Sequence, residues 1–218
     1  MRRKLLVSVL VALGVLTATA SSVSPSKVPP QAIQSAVVRS KPLLDRAWQM
    51  PVAITFKRDI SWQSNRSSCG PASIANAFRS LGEEAITEPE VLAGTGRCWL
   101  LGFCIPGLTL DELADVARVH STRRVTVLRD LTEDDFRTLL REANDPARRY
   151  IVNFSRDRIF GAGGGHHSPI GGYLEDEDLV FVLDVNRNFQ PWLVERSRLY
   201  EAMNTFDGSK KRGLLLIE

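Results

Sequence analysis

The order of predicted elements indicates an α+β fold in which helices come first and an antiparallel sheet follows. The first part of the chain has segments with helical spacing, and the part after residue 144 has short apolar runs bounded by turn residues. Strands that no helix separates pair as antiparallel hairpins, so we expect segregated layers instead of alternating βαβ units. With 44% hydrophobic and 24% charged residues, the 218-residue chain is typical of an ordinary globular protein.

Three helices are predicted before residue 144. Residues 70–81 begin with Gly-Pro, place apolar side chains on one helical face and end before Gly82. A second helix begins at Thr109, where the sequence TLDE forms a capping box. A third begins at Thr132 and has apolar residues at helical spacing.

The predicted strands lie at 150–154, 168–174, 179–184 and 213–217, and a short helix is predicted near 197–205. The acidic segment 175–178 predicts a hairpin turn between the second and third strands. Antiparallel pairing then brings the beginning of the second strand next to the end of the third.

The first twenty residues are typical of a secretory signal peptide. A basic start, a twelve-residue apolar stretch and Ala18-Thr19-Ala20 follow one another. The apolar stretch is shorter than the roughly 20 residues that span a bilayer. We therefore expect cleavage, export to the periplasm and no stable membrane span, an uncleaved anchor being the alternative. A Ser/Pro-rich leader at 21–50 and one folded domain at 51–218 would follow.

The charge balance excludes non-specific binding of nucleic acid. The chain has 28 Lys and Arg against 25 Asp and Glu, and three of the basic residues lie in the predicted signal peptide. The remainder is formally neutral and has no long block of Lys or Arg, the run 210–212 having three residues, whereas binding the phosphate backbone requires several clustered cations.

Cys69 is the candidate nucleophile. It precedes Gly70-Pro71 at the start of a predicted helix, where the helix dipole and free N–H groups stabilise a thiolate. Taken alone, this position fits a small buried core cysteine equally well. His166 opens one strand of the predicted hairpin and Asp184 ends the other, so an imidazole oriented by a carboxylate could take the proton from Cys69.

Gln63 is a candidate donor to an oxyanion. It lies six residues before the cysteine, and its amide could act together with the Cys69 backbone N–H. The alternative is a solvated loop, since the stretch QSNRSS is polar.

Five stretches together resemble the catalytic half of the phytochelatin synthases, which are papain-like thiol enzymes that act on glutathione. They are QSNRSSCGPASI, PGLTLDELA, GHHSPIGGY, VLDVNR and EAMNTFDGSKKRG. An HxSPIGGY string followed by an aspartate 18 residues after its histidine is specific to that family. The resemblance implies a papain-like catalytic domain with Cys69 as nucleophile, His166 as base, Asp184 as orienting carboxylate and Gln63 in the oxyanion hole.

The resemblance also implies how the substrate is held. Arg212 and Asp207 match an arginine and an acid that hold the γ-glutamyl group in relatives, and Arg187 matches an arginine near the site. His167 occupies the place of an aromatic residue in many relatives, so it is expected to be a half-buried ring without a catalytic role.

The implied activity is that of a glutathione γ-glutamylcysteinyltransferase. Cleavage of the Cys–Gly bond would form a γ-glutamylcysteinyl thioester, which passes to water or to a second glutathione. The chain ends six residues after Arg212, so the resemblance is to a short bacterial-type form in which hydrolysis outweighs polymer synthesis. An exported peptidase and a non-catalytic thiol or metal-binding envelope protein are the alternatives.

No cofactor is expected to be required. Cadmium or zinc ions would enter as complexes with the glutathione thiol or as activators. The sequence does not decide between these two roles, nor whether the protein forms a homodimer.

Cys98 and Cys104 flank WLLGF, and in an exported protein we expect a disulfide between them. A metal or second thiol site is the alternative there.

Overall fold

The computed structural model describes residues 27–98, 104–105 and 107–218. The predicted signal peptide lies outside the described residues. No helix in the described part of the chain combines the length and the apolar character needed to cross a membrane.

Six of the described helices precede the first strand. Their bounds are α1 Pro30–Ser35, α2 Lys41–Ala47, α3 Pro51–Thr55, α4 Cys69–Leu81, α5 Glu88–Leu92 and α6 Leu110–His120. Proline at the first or second position opens α1, α2, α3 and α5 with a preset backbone angle. Capping boxes begin α5 at Thr87 and α6 at Thr109, and α4 ends at Gly82 in the left-handed conformation.

The strands of the second half form an antiparallel sheet in the order β1-β8-β2-β3-β4-β5. Their bounds are β1 Val125–Leu128, β2 Arg149–Ser155, β3 Gly165–Leu174, β4 Leu179–Val182, β5 Trp192–Glu195 and β8 Leu214–Ile217. Strands β6 (Phe206–Asp207) and β7 (Lys210–Lys211) form a separate small hairpin. Helices α7 Glu133–Glu142, α8 Arg156–Phe160 and α9 Arg196–Met203 lie between these strands.

The predicted α+β class is confirmed, since the described strand pairs of the large sheet run antiparallel. The three helices predicted before residue 144 are α4, α6 and α7, and the acidic turn is a single 3₁₀ turn at Glu175–Glu177. Strands β1 and β5 were not predicted. Each has only four residues, and the partly polar β1 shows little alternation.

The sheet is covered on both faces. One cluster of buried side chains packs α1, α7, α8 and α9 against it, and a second packs α4, α5 and α6. A third cluster joins α2 and α3 to the start of α4 and to β3, β4 and β5. The segment predicted as a leader therefore contributes to the core, since Ile33, Ala47 and Met50 are buried.

Helix α4 is fixed to the middle of the sheet, and this places its first residue over β3. The Ser73 Oγ lies 2.7 Å from the Cys69 carbonyl oxygen and 3.0 Å from the His167 carbonyl oxygen. Leu113 of α6 packs so closely that a Cβ at Gly70 would lie 2.9 Å from its Cδ1. The beginning of α4 is thus held against both β3 and α6.

Candidate active site

Cys69 is the first residue of the 13-residue helix α4 and is buried. The residue before it, Ser68, provides no side-chain cap to the helix. The first N–H groups of a helix lack intrahelical partners and carry the positive end of its dipole. Cys69 therefore lies at the helix end that stabilises a negative charge.

His166 and Asp184 meet at one end of the β3–β4 hairpin, as the predicted pairing requires. The Nε2 of His166 lies 3.0 Å from Oδ1 of Asp184, and both side chains are buried. The ring also packs edge-on against Phe154, its cross-strand neighbour on β2. With Nε2 on the carboxylate, Nδ1 is the nitrogen left to exchange a proton with a thiol.

Among the carboxylates of the site, Asp184 accepts the most hydrogen bonds. Nη2 of Arg156 lies 2.8 Å from both of its oxygens, Nε1 of Trp192 donates to Oδ2 at 3.2 Å, and the N–H of Asn186 donates to Oδ1 at 2.9 Å. The guanidinium of Arg156 also lies over the Phe189 ring, 3.6 Å from its centroid. Burial would raise the pKa of Asp184, but the charges of Arg156 and His166 hold it far below its ordinary value.

The pKa values of the Cys69 thiol and the His166 imidazole are shifted in opposite directions. Burial by itself would raise the pKa of Cys69, but the charge of His166 and hydrogen bonds from His166 and His167 hold it well below its ordinary value. Burial and Arg156 would lower the pKa of His166, and the charges of Asp184 and Cys69 raise it instead. These opposite shifts favour a thiolate and an imidazolium.

His167 is buried more deeply than the sequence predicted. It is 3% exposed, and its Nδ1 lies 3.9 Å from the Cys69 sulfur. The expectation of a half-buried ring is therefore wrong. The start of α4 covers it, since a Cβ at Gly70 would lie 3.8 Å from its Nδ1, at ordinary van der Waals distance.

Gln63 is positioned by the loop before α4. Its backbone N–H donates to the Val185 carbonyl, which places it beside the segment that carries Asp184. Its Nε2 donates to the Asn65 carbonyl at 2.6 Å, and its buried Oε1 has no hydrogen-bond partner among the described residues. The bond to Asn65 uses one of the two amide N–H groups and fixes the plane of the amide.

Arg212 and Asp207 form a polar cluster with a residue that the sequence did not reveal, Asn153 of β2. Nη1 of Arg212 lies 3.1 Å from Oδ2 of Asp207, and the Asn153 amide bonds both side chains at 3.0 Å. Burial lowers the pKa of Arg212, which also interacts with the charge of Cys69. This cluster therefore lies within electrostatic range of the thiol.

Gly165, immediately before His166, lies directly under the Arg212 guanidinium. A Cβ there would lie 2.5 Å from Nη1 of Arg212. The close approach observed at Gly165 is that of the arginine.

Arg187 is exposed in the loop that follows Asp184.

Cys98 and Cys104 form the predicted disulfide, and the N–H of Cys104 donates to Ser67 at 3.0 Å. Among the described residues, no group of three or more His, Cys, Asp or Glu side chains could hold a metal ion. The hydrogen bond from Cys104 to Ser67 attaches the disulfide to the loop that precedes Cys69.

A groove of about 710 Å³ extends away from this loop. Its walls come from the segment around Trp62, from α4 and α5, and from Cys98. The residues on either side of Gln63 belong to this lining, as does Ala72 of α4. The groove thus begins next to the candidate oxyanion donor.

A buried thiol at a helix N-terminus, beside an imidazole held by a carboxylate, defines a thiol site of the cysteine-protease type. The chain belongs to the phytochelatin synthase family, whose model matches residues 23–214.

Two relatives illustrate the similarity. Glutathione gamma-glutamylcysteinyltransferase 1 of Triticum aestivum is 31% identical over 206 residues, and the protein of the same name from Arabidopsis thaliana is 30% identical over 207 residues. Each alignment covers 86% of this chain but only 41% and 42% of the relatives, so the chain spans less than half of their length. The solved peptidase domain of Streptococcus ComA overlaps with 72% of this chain and 93% of its own, with a TM-score of 0.48 and 14% identity.

Proposed function

We propose that this protein is a thiol enzyme that cleaves the Cys–Gly bond of glutathione and transfers the γ-glutamylcysteinyl group. The observation that carries the proposal is the buried Cys69 thiol, whose pKa is held low beside His166 in a chain of the phytochelatin synthase family. The relatives named above are called glutathione γ-glutamylcysteinyltransferases, which supports the choice of substrate.

In the first half of the reaction, the Cys69 thiolate attacks the carbonyl carbon of the Cys–Gly peptide bond. The backbone N–H of Cys69 and the second N–H of the Gln63 amide stabilise the oxyanion. His166, held by Asp184, gives its proton to the nitrogen of the departing glycine as the C–N bond breaks. The products are free glycine and a γ-glutamylcysteinyl thioester on Cys69.

The γ-glutamyl end of glutathione is a zwitterion with one carboxylate and one ammonium group. Arg212 and Asp207 offer the complementary pair, and their separation of 3.1 Å suits groups carried by a single carbon atom. We assign the carboxylate to Arg212 and the ammonium to Asp207, with Asn153 keeping the two side chains in register. Arg187, in the loop that follows Asp184, is assigned a supporting role.

In the second half, neutral His166 removes a proton from the acceptor, which attacks the thioester and restores the Cys69 thiolate. Water as acceptor gives γ-glutamylcysteine, and the amine of a second glutathione gives (γ-Glu-Cys)₂-Gly.

Cadmium or zinc ions are proposed to act as substrate components, bound to the glutathione thiol. We also propose that the enzyme is exported to the periplasm, based on the character of residues 1–20.

The decisive test is the intact mass of the protein after mixing with glutathione. We expect an increase that corresponds to γ-glutamylcysteine, located on Cys69 by peptide mapping, together with free glycine. Cys69→Ser should show neither. Absence of both adduct and glycine release in the wild-type protein, with or without cadmium, would refute the proposal and favour a non-catalytic thiol protein.

Arg212→Ala separates this function from that of a general peptidase. Because the guanidinium binds only the γ-glutamyl end, we expect kcat/KM for glycine release from glutathione to fall by about 100-fold or more, corresponding to about 3 kcal/mol. Arg124→Ala is the matched control, since the side chain of this arginine, just before the edge strand β1, is 74% exposed. A peptidase would cleave unrelated peptides equally well with either variant.

A further inference from the structure

The Cys69 sulfur has two imidazole neighbours, and the mechanism above uses only His166. The second, His167, is 3% exposed and places Nδ1 3.9 Å from the sulfur, within reach of a large sulfur acceptor. Its backbone carbonyl lies 3.0 Å from the Ser73 hydroxyl, one turn further along the nucleophile helix. This bond holds the backbone that carries the ring against the nucleophile helix.

The surroundings of the His167 ring decide which nitrogen carries its proton. Nε2 is buried and has no hydrogen-bond partner among the described residues. A buried N–H without an acceptor is costly, whereas a bare lone pair on the ring costs less, so the proton belongs on Nδ1. In that tautomer Nδ1 is a donor directed at the sulfur and has no lone pair with which to accept the proton of the thiol.

His166 is different in this respect. Its Nε2 is held by the Asp184 carboxylate, which leaves Nδ1 available to gain and lose a proton during the reaction. Of these two adjacent histidines of β3, His166 thus exchanges a proton with the sulfur, and His167 donates a hydrogen bond to it that does not change during the reaction. A fixed donor stabilises a thiolate in preference to a thiol, because a hydrogen bond to a charged acceptor is the stronger one.

We propose that His167 is a second catalytic residue, an Nδ1–H donor that stabilises the Cys69 thiolate while His166 alone transfers protons. Other charged groups also face this sulfur: His166 from β3 and Arg212 from the segment after β7. Asp184 and Arg156 act on it through His166. None of these groups is removed when His167 is substituted, so the variants isolate the contribution of His167.

The test is the pH dependence of alkylation of Cys69 by iodoacetamide, followed by intact mass in the absence of glutathione. Cys98 and Cys104 are joined in a disulfide, so Cys69 is the free thiol of the three cysteines. His167→Phe keeps a ring and removes the donor. We expect its alkylation midpoint to rise by about one pH unit, which is tenfold less thiolate at pH values below the midpoint.

Two further variants keep the test decisive if the phenylalanine variant folds poorly. His167→Asn places an amide N–H near the position of Nδ1 and should retain most of the wild-type midpoint. His167→Gln places its amide near Nε2 and should behave like His167→Phe. Circular dichroism and thermal unfolding of each variant establish that the fold is intact.

Wild-type alkylation midpoints in folded His167→Phe or His167→Gln would overturn the proposal, as would equal shifts in the asparagine and glutamine variants. Because alkylation needs no turnover, this result is independent of the substrate proposed above. A protein that released no glycine from glutathione would still show the dependence on His167.

Discussion

At the scale of single residues, the carboxylate that we propose to orient His166, Asp184, depends on a residue that the sequence does not reveal. Arg156 lies 28 positions before Asp184, in the charged stretch RDR of the short helix α8, where exposed side chains are the rule. Here the sheet brings α8 close to the end of β4, and the two side chains form an ion pair that is 10% and 0% exposed. Nothing in the local pattern distinguishes Arg156 from its neighbour Arg158, which is exposed.

The first prediction uses this pair of arginines. Arg156→Met keeps the length of the side chain and removes its charge, leaving the Asp184 carboxylate buried with less compensation. We expect a loss of about 3 to 5 kcal/mol in the free energy of unfolding, measured by urea denaturation near pH 7. Arg158→Met, on the same helix, should lose less than about 0.5 kcal/mol.

The pH dependence of stability tests the same ion pair with a defined sign. The pKa of Asp184 in the folded protein lies below its ordinary value of 3.8. Its contribution is therefore present above about pH 4 and is lost as the pH falls from there toward the folded-state pKa. In Arg156→Met the pKa is less depressed, so stability should fall less between about pH 4 and pH 2 than in the wild type. An unchanged acid dependence would show that Arg156 does not set the pKa of Asp184.

At the scale of secondary-structure elements, the Gly165–Arg212 contact joins the start of β3 to the polar cluster of Arg212, Asp207 and Asn153. Arg212 is anchored by Asn153, Asp207 and Thr205, so its guanidinium has little freedom to move from above the start of β3. Gly165 has no positive backbone angle that would require glycine. Its lack of a side chain serves the contact, because a Cβ would occupy the space of the guanidinium.

Gly165→Ala is therefore expected to displace Arg212 and to leave the fold intact. The KM for glutathione should rise by roughly tenfold or more, while circular dichroism stays unchanged. The double variant Gly165→Ala/Arg212→Ala should be no worse than Arg212→Ala alone, since both changes remove one interaction. Independent, additive losses in kcat/KM across the four proteins would contradict this coupling.

The elements that the sequence predicted are those with strong local signals. Helices α6 and α7 begin with capping boxes at Thr109 and Thr132, and the β3–β4 hairpin follows from two apolar runs joined by an acidic turn. The hairpin in turn explains why His166 and Asp184 were correctly placed together. Asn153 and the buried state of His167 could not be predicted, because both depend on which elements pack over the sheet and not on the strand pattern itself.

At the scale of the whole molecule, the segment before residue 51 belongs to the structure that supports the site. Val38 exchanges two backbone hydrogen bonds with Leu193 and so covers part of the edge strand β5. Strand β5 also carries Trp192, which bonds Asp184. The composition of residues 21–50, rich in Ser and Pro at first, gave no indication of this packing, because short helices bury few residues and show no clear period.

Ile33→Ala measures how much this segment stabilises the domain, with Ile54→Ala as the matched control. Ile33 of α1 is 6% exposed and packs in the same cluster as α8 and α9, whereas Ile54 of α3 is 60% exposed. Burial of a whole isoleucine side chain predicts a loss of about 2 to 4 kcal/mol in the free energy of unfolding for Ile33→Ala. For Ile54→Ala the loss should stay below about 0.5 kcal/mol. Equal losses in urea denaturation would mean that α1 is not part of the cooperative core, and the supporting role of the N-terminal segment would have to be abandoned.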